Sequence, residues 1–319
     1  MVIEGLRTVA AVLGLALLDR LARPSRLAGP RPVPPLAPSF EAASFEGATG
    51  GRDYRLYLPT RPQGRRLPLV VMLHGCGQTA EDFAAATAMN ARAEAGGWIV
   101  AYPEQTRRAN AQGCWNWFRP EHQRRGAGEA AILAELTRSL AETHPVDSAR
   151  VFVAGFSAGG AAAATLATLY PEVFAAAFVH SGLPVGAAGD LGSALALMRR
   201  GPRVALGQGC RCPVLALTGA RDDVVHPVNA EALVRQALAG QEDTVAVERP
   251  GERAERTVHR DAAGRTLAEH WRVAELGHDW SDGADGRPDA SAVALDFFER
   301  VAAEAGSVSR APPARRAAG

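Results

Sequence analysis

Gly155-Phe156-Ser157-Ala158-Gly159 constrains this chain more than any other stretch. It follows the apolar run Val151-Phe152-Val153-Ala154 and precedes Gly160 and an alanine-rich helical stretch, Ala161 to Tyr170. That order predicts a strand, a tight turn and a helix with a serine at the apex. Such a turn holds the serine in strained backbone geometry, and the small residues beside it let strand and helix approach closely. The pentapeptide alone also fits a Gly/Ala-rich packing turn. The strand before it and the helix after it favour a nucleophile raised above the end of a sheet.

The rest of the chain supplies that sheet. Tyr54 to Leu58 alternates like an early strand, and Leu67 to Leu73 is a nearly continuous apolar run, as a strand buried on both faces requires. Trp98 to Tyr102, Ala175 to His180, Val214 to Leu217 and His270 to Val273 read as further strands. Ala80 to Ala95, Gly128 to His144, Val228 to Leu238 and Ala290 to Ala303 read as helices between and after them. Alternation of this kind predicts an α/β fold: a mostly parallel central sheet with helices on both faces.

With 319 residues, 47% of them hydrophobic, the chain can bury this sheet as one domain. A net charge of +1 gives no reason to expect a nucleic-acid partner. No apolar run is long enough to predict stable membrane insertion. Thr8 to Leu18 has the length of a signal-peptide core, while Leu6, Leu13, Leu17 and Leu21 recur at helical spacing, so a signal or anchor and an amphipathic helix both stay open. Five prolines between Leu27 and Ser39 mark a linker. The expected organisation is an N-terminal segment with linker over 1–39, a catalytic domain over 40–305 and a disordered tail over 306–319.

A serine hydroxyl is a weak nucleophile at neutral pH, so a histidine must take its proton and a carboxylate must orient that histidine. In a sheet of this kind the chain order is serine, acid, histidine, each on a loop after a strand. Asp222 follows the Val214–Leu217 strand, and His278 follows the last strand beside Gly277. Asp223 is adjacent to Asp222; the G-x-x-D-x-x-V spacing from Gly219 to Val225 favours Asp222. Among the other histidines, His122, His144, His226 and His259 lie in polar stretches, His270 lies within a strand, and His180 ends an internal strand next to Ser181-Gly182, which puts it near the site without making it the base. His74 precedes the serine, in the wrong chain order for the base. A tetrahedral intermediate also needs preorganised N–H donors. Ala158, directly after the nucleophile, supplies one; Cys76, in the loop His74-Gly75-Cys76-Gly77-Gln78, supplies the second.

Leu73-His74-Gly75-Cys76, Gly113-Cys114-Trp115-Asn116-Trp117-Phe118, Gly155 to Gly160 and Gly277-His278 together resemble the esterase family of poly(3-hydroxybutyrate) depolymerases, from about Phe40 to Phe298. The resemblance implies an α/β-hydrolase fold, a triad at Ser157, Asp222 and His278, and hydrolysis of carboxylic esters, polyester or small, through an acyl-serine with no cofactor. It suggests a disulfide between Cys76 and Cys114, which would pin the oxyanion loop and imply an oxidising compartment, extracellular or periplasmic. Trp115, Trp117 and Trp280, with His74, are expected on the substrate side, although packing explains any single tryptophan equally well. Cys210 and Cys212 are too close for a C-x-x-C motif and lack a second ligand pair, so no metal site is expected. Two departures from the family pattern stand out: Gly77 between Cys76 and Gln78, and Asp279, which brings charge beside His278. Nothing resembles a separate polymer-binding module. The family also contains feruloyl and acetylxylan esterases, so a plant-wall esterase remains an alternative; so do a peptidase and a non-catalytic relative of the fold, the last disfavoured because the serine, histidine and oxyanion loop are all present.

Overall fold

The computed structural model describes residues 37–60, 64–203, 206–207, 209–241, 245–250 and 253–309. The apolar N-terminal stretch and most of the proline-rich linker lie outside the described residues. In chain order the elements are β1 (Ser39–Gly47), β2 (Gly50–Leu58), β3 (Leu67–Leu73), α1 (Ala80–Thr87), α2 (Met89–Gly96), β4 (Ile99–Pro103), α3 (Gly128–Thr143) and β5 (Val146–Phe156). They continue with α4 (Ala158–Leu169), β6 (Ala176–His180), α5 (Leu191–Arg200), β7 (Val214–Gly219), α6 (Val228–Ala237), β8 (Val245–Pro250), β9 (Ala254–Arg260), β10 (Thr266–Val273) and α7 (Ala290–Ser309).

Among the described residues the strands form one sheet in the order β1-β2-β4-β3-β5-β6-β7-β10-β9-β8. Its centre, from β4 through β3, β5, β6 and β7 to β10, is parallel. Antiparallel pairs close both edges. This is the α/β sheet the alternation predicts. The runs that read as continuous apolar segments are the central strands, and every residue of β3, β4, β6 and β7 is buried. Successive side chains alternate between faces. Leu69, Val71 and Val153 join a core with α3, α4 and α6, whereas Val70, Met72 and Phe152 join one with α1, α2 and α7. Removing each such side chain from water stabilises the fold by about 1.5–3 kcal/mol.

Register decides where chemistry can happen. Leu73 on β3 pairs with Gly155 on β5, Phe156 with His180 on β6, and His180 with Leu217 on β7. Val273 at the end of β10 pairs with Gly219. The loops after β3, β5, β6, β7 and β10 therefore leave the sheet side by side. From β3 the chain crosses to β4 on one side, and from β4 it returns to β5 on the other. This reversal opens a crevice beyond the strand ends, where open α/β sheets bind ligands.

The serine turn sits at that reversal. Ser157 adopts φ 56° and ψ −119°, a conformation that costs on the order of 1–3 kcal/mol for a non-glycine residue. A Cβ on Gly155 would stand 2.2 Å from the Gly159 carbonyl oxygen, and one on Gly159 would stand 2.0 Å from the Leu73 carbonyl oxygen. Backbone therefore meets backbone at both glycines, which is the steric reason for the G-x-S-x-G pattern.

Some elements differ from expectation. The helix read over Ala80–Ala95 breaks at Ala88, which turns left-handed at φ 48°. The Thr87 hydroxyl donates to the Phe83 carbonyl there, and Met89 turns fully into the core. The edge strands β1, β8 and β9 and the helix α5 are not among the expected elements. Helix α7 extends to Ser309, into the segment expected as a tail; 310–319 lie outside the described residues.

The glycine contacts give a direct test. Gly159→Ala should lower unfolding free energy by at least about 3 kcal/mol, or Tm by roughly 6–12 °C. Gly189→Ala, at a position with nothing within 4 Å of the added methyl, should stay within about 0.5 kcal/mol of the parent in the same thermal and urea melts.

Candidate active site

Ser157, Asp222 and His278 come from three different loops and meet in one hydrogen-bonded line. His278 Nε2 lies 2.9 Å from Ser157 Oγ. Its Nδ1 lies 3.0 Å and 2.8 Å from the two Asp222 carboxylate oxygens. Asp222 is buried, and its Oδ1 also accepts the backbone N–H groups of Val224 at 3.1 Å and Val225 at 2.8 Å. Burial alone would raise its pKa. The hydrogen bonds from His278 and Val225 and the pull of the imidazole outweigh burial, with help from the Ser181 hydroxyl, and hold the carboxyl below the usual aspartate range. With Nδ1 donating to this carboxylate, Nε2 is free to accept from the serine. Asp223 is exposed, so the structure brings Asp222, not its neighbour, to the histidine. Phe156 covers the His278 ring at a centroid distance of 4.9 Å.

Ala158 opens α4, so its N–H has no acceptor within the helix. The loop after β3 comes against that helix end, as the close approach of Leu73 to Gly159 requires. Several contacts hold the loop. Cys76 and Cys114 form a disulfide. The Gly75 N–H donates to Gln78 Oε1 at 2.9 Å. The Trp115 indole N–H donates to the His74 carbonyl at 3.1 Å. Behind these lies the buried Glu129, at the start of α3. It accepts from Asn116 N and Asn116 Nδ2, both at 2.8 Å, binds the Gln105 side chain, and pairs with the buried Arg52 at 3.5 Å. Gln105 in turn donates to the Cys114 carbonyl at 3.0 Å.

Two residues expected at the substrate are scaffold instead. Trp115 is fully buried beneath the loop, and its one polar group is used by His74. His74 is fully buried as well: Nε2 accepts the Gln105 N–H at 3.0 Å, which leaves Nδ1 to donate to the Gly75 carbonyl at 2.7 Å. Burial lowers its pKa, so it stays the neutral brace of that loop. Trp117 is half-buried, edge to face with Phe118 at 5.6 Å, and packs in the cluster that contains Leu183 and α5. Trp280 does border open space. It lines a cleft of about 390 Å³ with Phe83, Phe156 and Leu276, and Asp279 and Arg287 also line it. Asp279 thus brings charge to the cleft next to His278.

Sequence reasoning missed Glu129 and Phe156 as a wall of the histidine; it put His180 near the site without giving it a role. The signal for Glu129 was faint: an acidic residue in the first turn of a helix usually answers the helix dipole. Among the described residues no group of three or more His, Cys, Asp or Glu side chains is gathered as metal ligands would be.

Cys210 and Cys212 are buried thiols; burial pushes Cys210 up to about 12 and Cys212 well above its ordinary value. Native protein should therefore give almost no thiol reaction with an aromatic disulfide reagent at pH 8, and the unfolded, unreduced protein should give two thiols. Four thiols on unfolding would remove the Cys76–Cys114 bond. Replacing both of those cysteines with alanine should cost about 2–4 kcal/mol of stability in a urea melt.

Known proteins resemble this chain in sequence and in fold. The family model described as Esterase PHB depolymerase matches residues 52–258. Poly(3-hydroxyalkanoate) depolymerase C of Paucimonas lemoignei is 32% identical over 226 residues, which are 66% of this chain and 54% of that protein. Feruloyl esterase B of Thermothelomyces thermophilus is 34% identical over 128 residues, 40% of this chain and 43% of that one. The chain thus spans about half the length of these relatives. An acetyl xylan esterase from Aspergillus awamori superposes with a TM-score of 0.65 at 20% identity, over 82% of this chain and 99% of the other, so the two share a fold. The match of the family model over more than half the chain identifies the protein as a member of the PHB depolymerase esterase family.

Proposed function

We propose that this protein is a serine carboxylesterase acting on polyhydroxyalkanoate, poly(3-hydroxybutyrate) or its oligomers, within one catalytic domain spanning about 40–305. The observation that carries the reading is the hydrogen-bonded line from Ser157 through His278 to Asp222 at the strand ends. Ser157 Oγ attacks the ester carbonyl while His278 Nε2 takes its proton. Asp222 orients the imidazole and stabilises the imidazolium that forms. The N–H groups of Ala158 and Cys76 receive the oxyanion. Collapse of the tetrahedral intermediate breaks the ester C–O bond, and His278 returns the proton to the departing alkoxide oxygen. A water then attacks the acyl-serine, His278 takes its proton, and the acid leaves as Ser157 Oγ is reprotonated. All of these groups belong to the chain, and the steps call for no cofactor.

The cleft beside His278 supports the substrate class. Phe156 and Trp280, the partly exposed rings of that cleft, offer apolar area suited to the short alkyl branch of a hydroxyalkanoate, beside the charged Asp279, Asp282 and Arg287. The disulfide supports an oxidising compartment, extracellular or periplasmic. Among the described residues no helix is long and apolar enough to cross a membrane. The similarity to feruloyl and acetylxylan esterases favours a second reading, a plant-wall esterase using the same serine.

The test is release of soluble 3-hydroxybutyrate from amorphous polyhydroxybutyrate, with p-nitrophenyl butyrate and a methyl ferulate control in parallel. Polymer release should be Ser157-dependent, and Ser157→Ala should lower turnover by about 10⁴-fold or more with the fold intact. Asp222→Asn should cost on the order of 10²–10⁴-fold in kcat, and Asp223→Asn about twofold at most. Ferulate turnover without polymer release would move the substrate to wall esters and keep the serine. The reverse ranking of the two asparagine variants would overturn the acid assignment.

A further inference from the structure

His180 is fully buried at the end of β6 and is too far back in the chain order to be the base. It nevertheless touches each segment that carries the reacting side chains. Its carbonyl oxygen accepts the Ser157 N–H at 2.9 Å. Its ring Nε2 accepts the Ser281 N–H at 3.2 Å, in the loop that carries His278. Its Nδ1 faces Ser181 Oγ at 3.2 Å, and Ser181 helps to hold Asp222 ionised. The ring stacks on Trp280 at 5.0 Å with 25° between planes, and Phe156, which covers His278, meets it edge-on at 5.3 Å.

These partners determine its tautomer. Ser281 offers an N–H, so Nε2 must be the bare nitrogen and Nδ1 must carry the hydrogen. Nδ1 then donates to Ser181 Oγ, and the Ser181 hydrogen is released toward Asp222. A second proton on the ring would point at the Ser281 N–H. Burial, with the nearby His278, pushes its pKa down to about 3, so that second proton is absent over the range in which an esterase works.

We propose that His180 is a positioning residue for ester hydrolysis: as the neutral Nδ1–H tautomer it ties the His278 loop to the Ser181–Asp222 side of the site and so fixes the His278 ring between acid and nucleophile. This rests on Ser157, His278 and Asp222 being the hydrolytic machinery. A histidine that only filled space would need the ring but neither nitrogen. His180→Phe keeps an aromatic ring against Trp280 and removes both hydrogen bonds. His180→Gln offers Ser281 a carbonyl acceptor again.

The experiment measures kcat and KM for p-nitrophenyl butyrate, and the downfield proton resonance of His278 Nδ1–H, in the parent, His180→Phe, His180→Gln and Ser157→Ala. Circular dichroism and Tm establish the folded concentration of each. In His180→Phe, kcat should fall about 10–100-fold with KM within about twofold, and the resonance should move or broaden; His180→Gln should recover at least about fivefold of the lost kcat. A phenylalanine variant with kcat within twofold of the parent and an unmoved resonance overturns the proposal, as does a loss fully explained by unfolded protein. Should His180→Phe not fold, Ser181→Ala decides: it should move the same resonance and lower kcat about 3–10-fold, and no change in either overturns the proposal. A parent without Ser157-dependent turnover would instead sink the esterase reading. The resonance in His180→Phe would still report on positioning in that case.

Discussion

The chemistry of this molecule depends on one close approach, that of the first turn of α4 to the end of β3. Gly159 packs against the Leu73 carbonyl with no room for a methyl group, and Gly155 packs against Gly159 in the same way. That contact forces Ser157 into its positive-φ turn and brings the Ala158 N–H toward the loop that begins at His74. The positions of the Ser157 hydroxyl and of the Ala158 N–H are thus consequences of a single steric condition. The strain at Ser157 is small beside the burial of the strands around it, and so the sheet can hold a serine in a conformation the residue alone would avoid.

A second layer of contacts holds the loop after β3. In the proposed mechanism a flexible loop with a free Cys76 N–H would reorganise as charge developed, and the advantage of a preorganised donor would be lost. Here the disulfide, the Trp115 indole and the His74 imidazole each fix a different atom of the loop. Glu129 fixes the segment that supplies two of them. Its charge is expensive to bury, and the cost is offset only because Arg52, Gln105 and Asn116 all face it. Losing Arg52 would leave the Glu129 carboxylate without a counter-charge in a low-dielectric interior.

The sheet and the serine turn were legible in the sequence for the same reason. Strands buried on both faces must be apolar throughout, and a turn with backbone contacts on both sides must be glycine. The meeting of Asp222 and His278 with Ser157 was legible because chain order limits where the partners of such a serine can stand. The edge strand β1 escaped because it is largely exposed, and β9 because it is only half-buried and mostly polar in sequence. The break at Ala88 escaped because alanine carries no signal for a left-handed turn; the inward pull of Met89 decides it. The substrate-side residues were legible only as residue types. An aromatic ring or imidazole beside a catalytic loop can face solvent or core, and nothing local distinguishes the two.

The tryptophans show what does distinguish them. An indole buried in a protein still carries an N–H that needs an acceptor. Trp115 finds the His74 carbonyl, and Trp280 finds Ser291 Oγ at 3.2 Å. Each is thereby oriented, and each orients what it touches. Trp115 props the loop after β3 from below and shows no surface. Trp280 rests one side on His180 and borders the cleft beside His278, so the same ring transmits packing inward and offers apolar area outward. Phe156 plays the same double part between His278 and that cleft. The apolar wall available to a substrate is therefore the outer surface of the packing that holds the histidine, and a ligand that pressed on that wall would press on the base.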